Sequence, residues 1–442
     1  MHDQLTVFSF ISIAVLFVVY YFLISEKINK VIAVMLGAAL LIFLQVFKTG
    51  THSSQSVALE FVKNNIDVLG FIIGMMVLVG IVKESGVFEA LAIKLVKVVK
   101  GNPKLLLIAF GYLTLFMTAF LSNIPTVLIL TPVLIILVRT LKLPYLPYFF
   151  VLVVMANIGG AMTPLSDPTT YYQAKTVGLS FTEVVENSGL IVLVLSVVTL
   201  AYSMLVFKKE LSSVETNQSD VAEFNPVSAI KDWKILKIGV PILAVSILLM
   251  ILREFIAKKT GATLDNTTIT IGAAFLCVLI FKKNIHDVFT KIIDWEILFF
   301  FSGLFIVVGA LEHTGVISSL AQELIKITHG NLNGLLFLTS VGSGTISTFI
   351  DNVPYNISMI GAIQVMEQNN IWVYPLWWAL NLGTSLGGAG SPIGAACNVI
   401  AFGQAEHEKF HTAFLKYLAI GFPLVIINGL VTYGILWLRY IN

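Results

Sequence analysis

The chain has 442 residues, of which 57% are hydrophobic and 12% charged, with a formal net charge of +2 and two cysteines. A soluble globular protein of this length needs far more polar surface. Its basic residues lie between apolar runs, so the small positive charge carries no implication for nucleic acid. Cys277 and Cys397 both fall in apolar stretches, so no disulfide framework is implied. The composition is that of an all-α polytopic membrane protein.

The elements read in order as follows. Leu5–Ile24 is too long for a signal-peptide core and lacks a small-residue cleavage site, so it reads as a retained span. Val31–Phe47 and Ile66–Val82 follow, each of a length that crosses a hydrocarbon layer about 30 Å thick. Residues 1–65 begin the scaffold of a first repeat that occupies 66–207. Phe88–Val99 is amphipathic and suited to the membrane interface. Leu105–Val138 is split near its middle by Ser122-Asn123-Ile124-Pro125 and lies in a segment 103–142. Tyr145–Thr163, within 145–175, is a broken span, and Leu190–Phe207 closes the repeat. The polar stretch 208–234 reads as a cytoplasmic linker. The second repeat, 235–442, carries Ile235–Leu252, Ile269–Phe281, Ile297–Leu311, the amphipathic Ile317–Thr328, a split stretch Leu332–Val365 within 332–368, a broken span Trp372–Leu386 within 372–404, and Phe414–Leu438.

Hydropathy alone leaves each split stretch as two crossings or one re-entrant hairpin. Charge decides between them. With hairpins and an external amino terminus, Lys94, Lys97, Lys100, Lys104, Lys208, Lys209, Lys282 and Lys283 all fall inside, the expected bias. Five crossings then separate Ile66 from Ile297, and an odd number inverts the second repeat relative to the first. The expected architecture is two inverted repeats with about ten transmembrane helices, two re-entrant hairpins and two broken helices.

The polar interruptions pair across the repeats. Adding 229 carries Asn123 to Asn352 and Pro125 to Pro354. Adding 224 carries Asn157 to Asn381, Gly159 to Gly383, and Asp167-Pro168 to Ser391-Pro392. In this register the acids exchange places: Ser122 opposes Asp351, and Asp167 opposes Ser391. Duplicated polar breaks in a hydrophobic chain mark a transporter with its site at the repeat interface. Asp-Pro and Ser-Pro each put a capping oxygen before a proline that fits a first helical position, so helix N-termini are expected inside the membrane at both breaks.

Asp167 and Asp351 are the acids placed near the midplane, and the reading assigns no Lys or Arg to them. A buried carboxylate without a basic partner takes up a proton or binds a cation. The bland alternatives are a helix cap for Asp167 and a tip residue for Asp351. Asn123, Asn352, Asn157, Asn381 and Asn398 offer amide oxygens, and Ser122, Thr126, Thr163 and Ser391 offer hydroxyls, as substrate or ion ligands. Sodium is placed at Asn123, Asp167, Asp351 and Asn352. Cys397 reads as a packing residue and Asn428 as a contact between helices.

At Phe120–Pro132, Asn157–Pro168, Phe349–Asn356 and Gly387–Glu406 the chain resembles the ion-transporter superfamily. That superfamily holds arsenite permeases, sodium–proton antiporters of the NhaD kind and P-protein relatives, with citrate and dicarboxylate permeases more distant. The resemblance covers nearly the whole chain. It implies inverted repeats, elevator-like motion and a homodimer in a bacterial-type plasma membrane. The first tip departs from the family's usual Asp-Asn, reading Ser122-Asn123. Ser-Asn resembles the carboxylate branch, where Thr commonly follows; here Ile124 does.

The reading is a secondary transporter, not an enzyme, that couples a small ion to protons or sodium and uses no other cofactor. The alternative is a sodium-coupled importer of a carboxylate or oxyanion. An intramembrane aspartyl protease would need Tyr-Asp and Gly-x-Gly-Asp motifs, and neither acid sits in one.

Overall fold

The structure is a computed structural model that describes residues 6–25, 28–48, 53–212, 225–261 and 264–442. All of its elements are helical. Among the described residues, seven helices are long and apolar enough to cross a membrane by length and composition, and Val7–Leu23, Lys30–Phe43, Tyr145–Gly159 and Asn266–Ile280 are shorter apolar helices. Most expected spans recur within a few residues. The largest differences are Trp233–Thr260, which extends well past Leu252, and Phe181–Val206, which begins earlier and passes through a π turn at Val185–Gly189. Much of the 208–234 linker lies outside the described residues.

The repeat is written into the backbone. Gly86 and Gly315 both take left-handed φ values, +77° and +76°, and each opens an amphipathic helix, Val87–Val98 and Val316–Ile327. Asn102 and Asn331 then cap the first arm of each hairpin, accepting from Lys104 N at 3.0 Å and Asn333 N at 2.8 Å.

The packing of the spans crosses between repeats. Lys30–Phe43 packs on Trp295–His313, and Asn266–Ile280 packs on Ile66–Lys83. The hairpins follow the same rule. The second arm of the first hairpin, Asn123–Thr140, packs on Ala396–His407, and that of the second, Asn352–Gln368, packs on Pro168–Val177.

Hairpin arms of 19 and 18 residues in Pro103–Leu121 and Asn123–Thr140 are long enough to cross, so length does not identify a hairpin. Contacts do. Tyr148 Oη donates to the Pro103 carbonyl at 2.8 Å, which brings the first arm's start beside the helix that directly follows the second arm. This open end adjoins Phe410, whose ring lies 5.2 Å from that of Tyr145, just before the 27-residue helix Phe414–Tyr440. The second hairpin's open end sits at the other extreme of that helix, where Trp372 and Tyr374 lie 6.1 and 5.7 Å from Tyr440. The two hairpins therefore enter from opposite ends of one helix, and the repeats are inverted.

Candidate functional site

The hairpin tips and the broken helices meet in the interior. After Leu121 the chain turns through Ser122, at φ +73° and ψ 160°, into the arm that starts at Asn123. A non-glycine residue in that region is strained, and such strain gathers at functional sites. Thr126 Oγ1 ties the turn by donating to the Ser122 carbonyl at 2.7 Å. At the other tip Asp351 has an ordinary φ of −50°, and its carboxylate caps the second arm by accepting from Val353 N at 3.1 Å.

Asp167 caps Pro168–Val177, accepting from Thr169 N at 2.9 Å and Thr169 Oγ1 at 2.6 Å. Its other oxygen accepts from Asn123 Nδ2 at 2.7 Å. The cap role and a cavity-facing role thus coexist in one side chain.

The second repeat does not start its helix at Pro392. That helix begins at Ala396, capped by Ala395 without a side-chain bond, and Ser391 instead donates its hydroxyl to the Thr348 carbonyl at 2.7 Å. The equivalent bond in the first repeat is Thr163 Oγ1 to the Ala119 carbonyl at 2.5 Å. The two half-helices begin 228 positions apart. Gly159 and Gly387 mark the same register: an added Cβ would stand 2.9 Å from the Leu115 carbonyl or 2.6 Å from the Gly344 carbonyl. The 224 offset is thus corrected to 228. Thr163-Pro164 matches Ser391-Pro392, and Asp167 matches Ala395. The expected exchange of acids does not occur. Ser122 still opposes Asp351, but Asp167 has no polar counterpart.

One cavity of about 420 Å³ takes in Ser122, Asn123, Asp167, Asp351 and Asn352. The remaining candidates, Thr126, Asn157, Thr163, Asn381, Ser391 and Asn398, lie outside its lining and brace the breaks. Asn398 donates to the carbonyls of Gly388 and Ser391 at 2.6 and 2.8 Å and accepts from Asn157 Nδ2 at 2.8 Å. Asn381 accepts from Thr170 Oγ1 at 2.8 Å and donates to the Ala161 carbonyl at 3.1 Å. Each brace joins one repeat's first half-helix to the other repeat's second. Cys397 is fully buried, 3.6 Å from Asn157 Nδ2. Asn428 Nδ2 bridges to Thr199 Oγ1 at 3.0 Å, a contact between two spans.

Between the polar floor and the opening the cavity wall is apolar, with Phe71, Met75, Met76, Phe300 and Phe301. Among its lining residues Glu84, Lys291 and Asp294 are exposed and Lys83 is half-buried, which sets the mouth beside them. Lys83 ends the helix that leads through Gly86 and the amphipathic Val87–Val98 to Pro103, so the cavity opens on the side from which the first hairpin enters. Lys30 also lines it, its amine 5.4 Å from the Phe300 ring centroid. The expectation that no basic residue accompanies the acids is therefore corrected. Lys30 is distant in sequence, and only the packing of Lys30–Phe43 on Trp295–His313 brings it in. A signal existed: a lysine at the first position of an apolar helix sits at the wrong end of the helix dipole. Among the described residues, no group of three or more His, Cys, Asp or Glu gathers as a metal site.

Known proteins resemble the chain along its whole length. It is 30% identical to a 46 kDa membrane protein of Mycobacterium leprae, covering 98% of this chain and 99% of that one. It is 26% identical to a transporter of Synechocystis sp., covering 97% of each. It is also 27% identical to the P protein of Homo sapiens, over 95% of this chain and 58% of that one. The crystal structure of the Alcanivorax borkumensis YdaH transporter superposes with a TM-score of 0.58 over 97% of this chain and 98% of that one, at 14% identity, which attests the fold. The citrate transporter family model matches residues 20–383. With inverted repeats around a central polar cavity, the chain is a multi-pass membrane transporter and belongs to the citrate transporter family.

Proposed function

We propose that this transporter is secondary active and couples a small ion to protons or sodium, in antiport or efflux, as in sodium/proton or arsenite-type exchange. One observation carries the reading: carboxylates from opposite repeats, Asp167 and Asp351, share a cavity with Asn123 and Asn352. A carboxylate in a low-dielectric site is stable when protonated or when holding a cation. A cation arriving at this pair displaces a proton, and that competition is the coupling step. Sodium here is cargo or coupling ion, held by Asp167, Asp351, Asn123 and Asn352.

The cavity opens on one side, and the first hairpin's side is taken as cytoplasmic from the lysines near it. Access from the other side then requires the hairpins and broken helices to move against the scaffold, an elevator-like step in a homodimer. The rival reading, sodium-coupled import of a carboxylate or oxyanion, draws support from Lys30 in the cavity and from the family's citrate description.

Proteoliposomes with imposed pH and sodium gradients, screened with sodium, lithium, arsenite and citrate, separate the two. Flux of sodium, lithium or arsenite that follows the pH gradient and disappears in Asp351→Asn upholds cation exchange. Citrate uptake driven by sodium alone, unchanged in that variant, replaces it with the rival.

A further inference from the structure

Two cavities meet at the second hairpin tip. Beside the one described above lies another of about 330 Å³, reached past Leu23, Ile28 and Phe349. Lys30, Asp294 and Asp351 line both. The other charges around this junction have partners. Lys291 pairs with Asp287 at 2.7 Å, and Glu84 pairs with Lys283. Asp294 caps Trp295–His313 through Glu296 N at 3.0 Å, and Glu296 accepts from Asn29 Nδ2 at 3.2 Å. Asp167 has its three donors. Lys83 has Glu89 nearby. Lys30 forms no ion pair among the described residues. Asp351 accepts one backbone hydrogen bond, from Val353 N, and lines both cavities with Lys30, while Asp167 is the like charge across the larger one.

We propose that Lys30 is the resident counter-cation of Asp351, a scaffold-borne positive charge that stands in for the transported ion when the site is empty. Its position conflicts with the dipole of the helix it begins, and a local conflict of that kind marks a position kept for function. The amine stem lies over Phe300, and its length lets the charge swing between the two cavities toward the tip. A cation bound at Asp351 must displace this amine, while the proton exchanged in the coupling step is carried at Asp167 in the same cavity, so Lys30 lowers the site's affinity for monovalent cations and favours release on the side where the cavity opens. The inference deepens the proposed function by naming a residue that sets cation affinity at the same site.

Dicyclohexylcarbodiimide, which modifies protonated carboxyl groups in apolar surroundings, tests the pairing on the full chain in detergent at neutral pH. Labelling of Asp351 is read by peptide mass spectrometry in the wild type, Lys30→Gln and Lys30→Arg, with Glu312 as a control far from the site. Without a resident cation the carboxyl group takes up a proton, so Lys30→Gln raises Asp351 labelling several-fold, Lys30→Arg keeps the wild-type level, and Glu312 does not change. Equal Asp351 labelling in all three overturns the proposal, as does a parallel rise at Glu312, the sign of general loosening. Sodium added before the reagent then reports on affinity: protection of Asp351 shifts about tenfold lower in sodium concentration in Lys30→Gln. If sodium protects neither protein while Lys30→Gln still raises labelling, the ion pair stands and the sodium form of the proposed function falls.

Discussion

Asn123 Nδ2 donates to Asp167 Oδ2 at 2.7 Å, while Asn123 Oδ1 accepts from Ile124 N at 2.8 Å. The backbone bond turns the amide so that its NH₂ faces the carboxylate. Nothing equivalent exists in the second repeat, where Ala395 stands at the matching helix start. The first repeat thus holds its acid with a fixed donor, and the second leaves Asp351 to be balanced from outside its own hairpin.

That geometry predicts a rescue. Asp167→Asn sets two NH₂ groups against each other, and Asn123→Asp sets two carboxylates together, so each single change lowers the melting temperature. The double change Asn123→Asp/Asp167→Asn restores every donor–acceptor pair. The amide introduced at position 167 still accepts from Thr169, and its NH₂ donates to the carboxylate introduced at position 123. Thermal unfolding in detergent, arranged as a double-mutant cycle, is expected to return a favourable coupling of about 1–3 kcal/mol. Additive losses would mean that the hydrogen bond does not form.

Ser122 occupies a backbone conformation that a side chain resists, at a cost of about 1–3 kcal/mol. Ser122→Gly is expected to raise the melting temperature, and Ser122→Val to lower it by more than the glycine change raises it. A β-branched side chain tolerates positive φ least. Unfolding scans of the two variants check the sign of each.

The opposed hairpins predict a labelling pattern. Cysteines at Pro103 and Lys142 are modified by a membrane-impermeant thiol reagent from one side, which the lysine bias assigns to the cytoplasm. Those at Asn333 and Asn369 are modified from the other. Either hairpin with its ends on opposite faces would contradict the inversion.

The two braces differ in strength. Asn398→Ala leaves the Gly388 and Ser391 carbonyls and Asn157 Nδ2 without that partner, and is expected to cost about 3 kcal/mol or more. Thr170→Ala is milder, about 1–2 kcal/mol, because it leaves one buried acceptor, Asn381 Oδ1, without its donor while the Gly160 carbonyl keeps the Ser166 hydroxyl at 2.6 Å. Relative unfolding free energies from matched denaturant titrations check the order.

The fold was readable in the sequence because hydropathy, left-handed glycines and capping asparagines are all local signals. Gly86 and Gly315, with Asn102 and Asn331, announce the same turns twice. The tips were readable too, since Asn123 and Asn352 fall at one ungapped offset. The breaks were not. Glycine recurs at Gly383 and at Gly387-Gly388, and the asparagines Asn157 and Asn381 favour the wrong one of the two registers. Only the close approach of Gly159 and Gly387 to hairpin carbonyls settles it, and that contact is tertiary. Lys30 was missed for a related reason. Its meaning depends on which helix of the other repeat its own helix packs against.

The crossed packing of the spans sets a schedule for biogenesis. Ile66–Lys83 leaves the ribosome early, but the helix it packs on begins at Asn266. That is about 200 residues later, or about 10–40 s at ordinary elongation rates of about 5–20 residues per second. Through that interval Gly74, shaped to lie against the Thr270 side chain and the Ile271 backbone, faces lipid or an insertion chaperone. A chain cut in the linker between the repeats and expressed as two fragments therefore has to pack helices across the two fragments in the bilayer before either half acquires its interior.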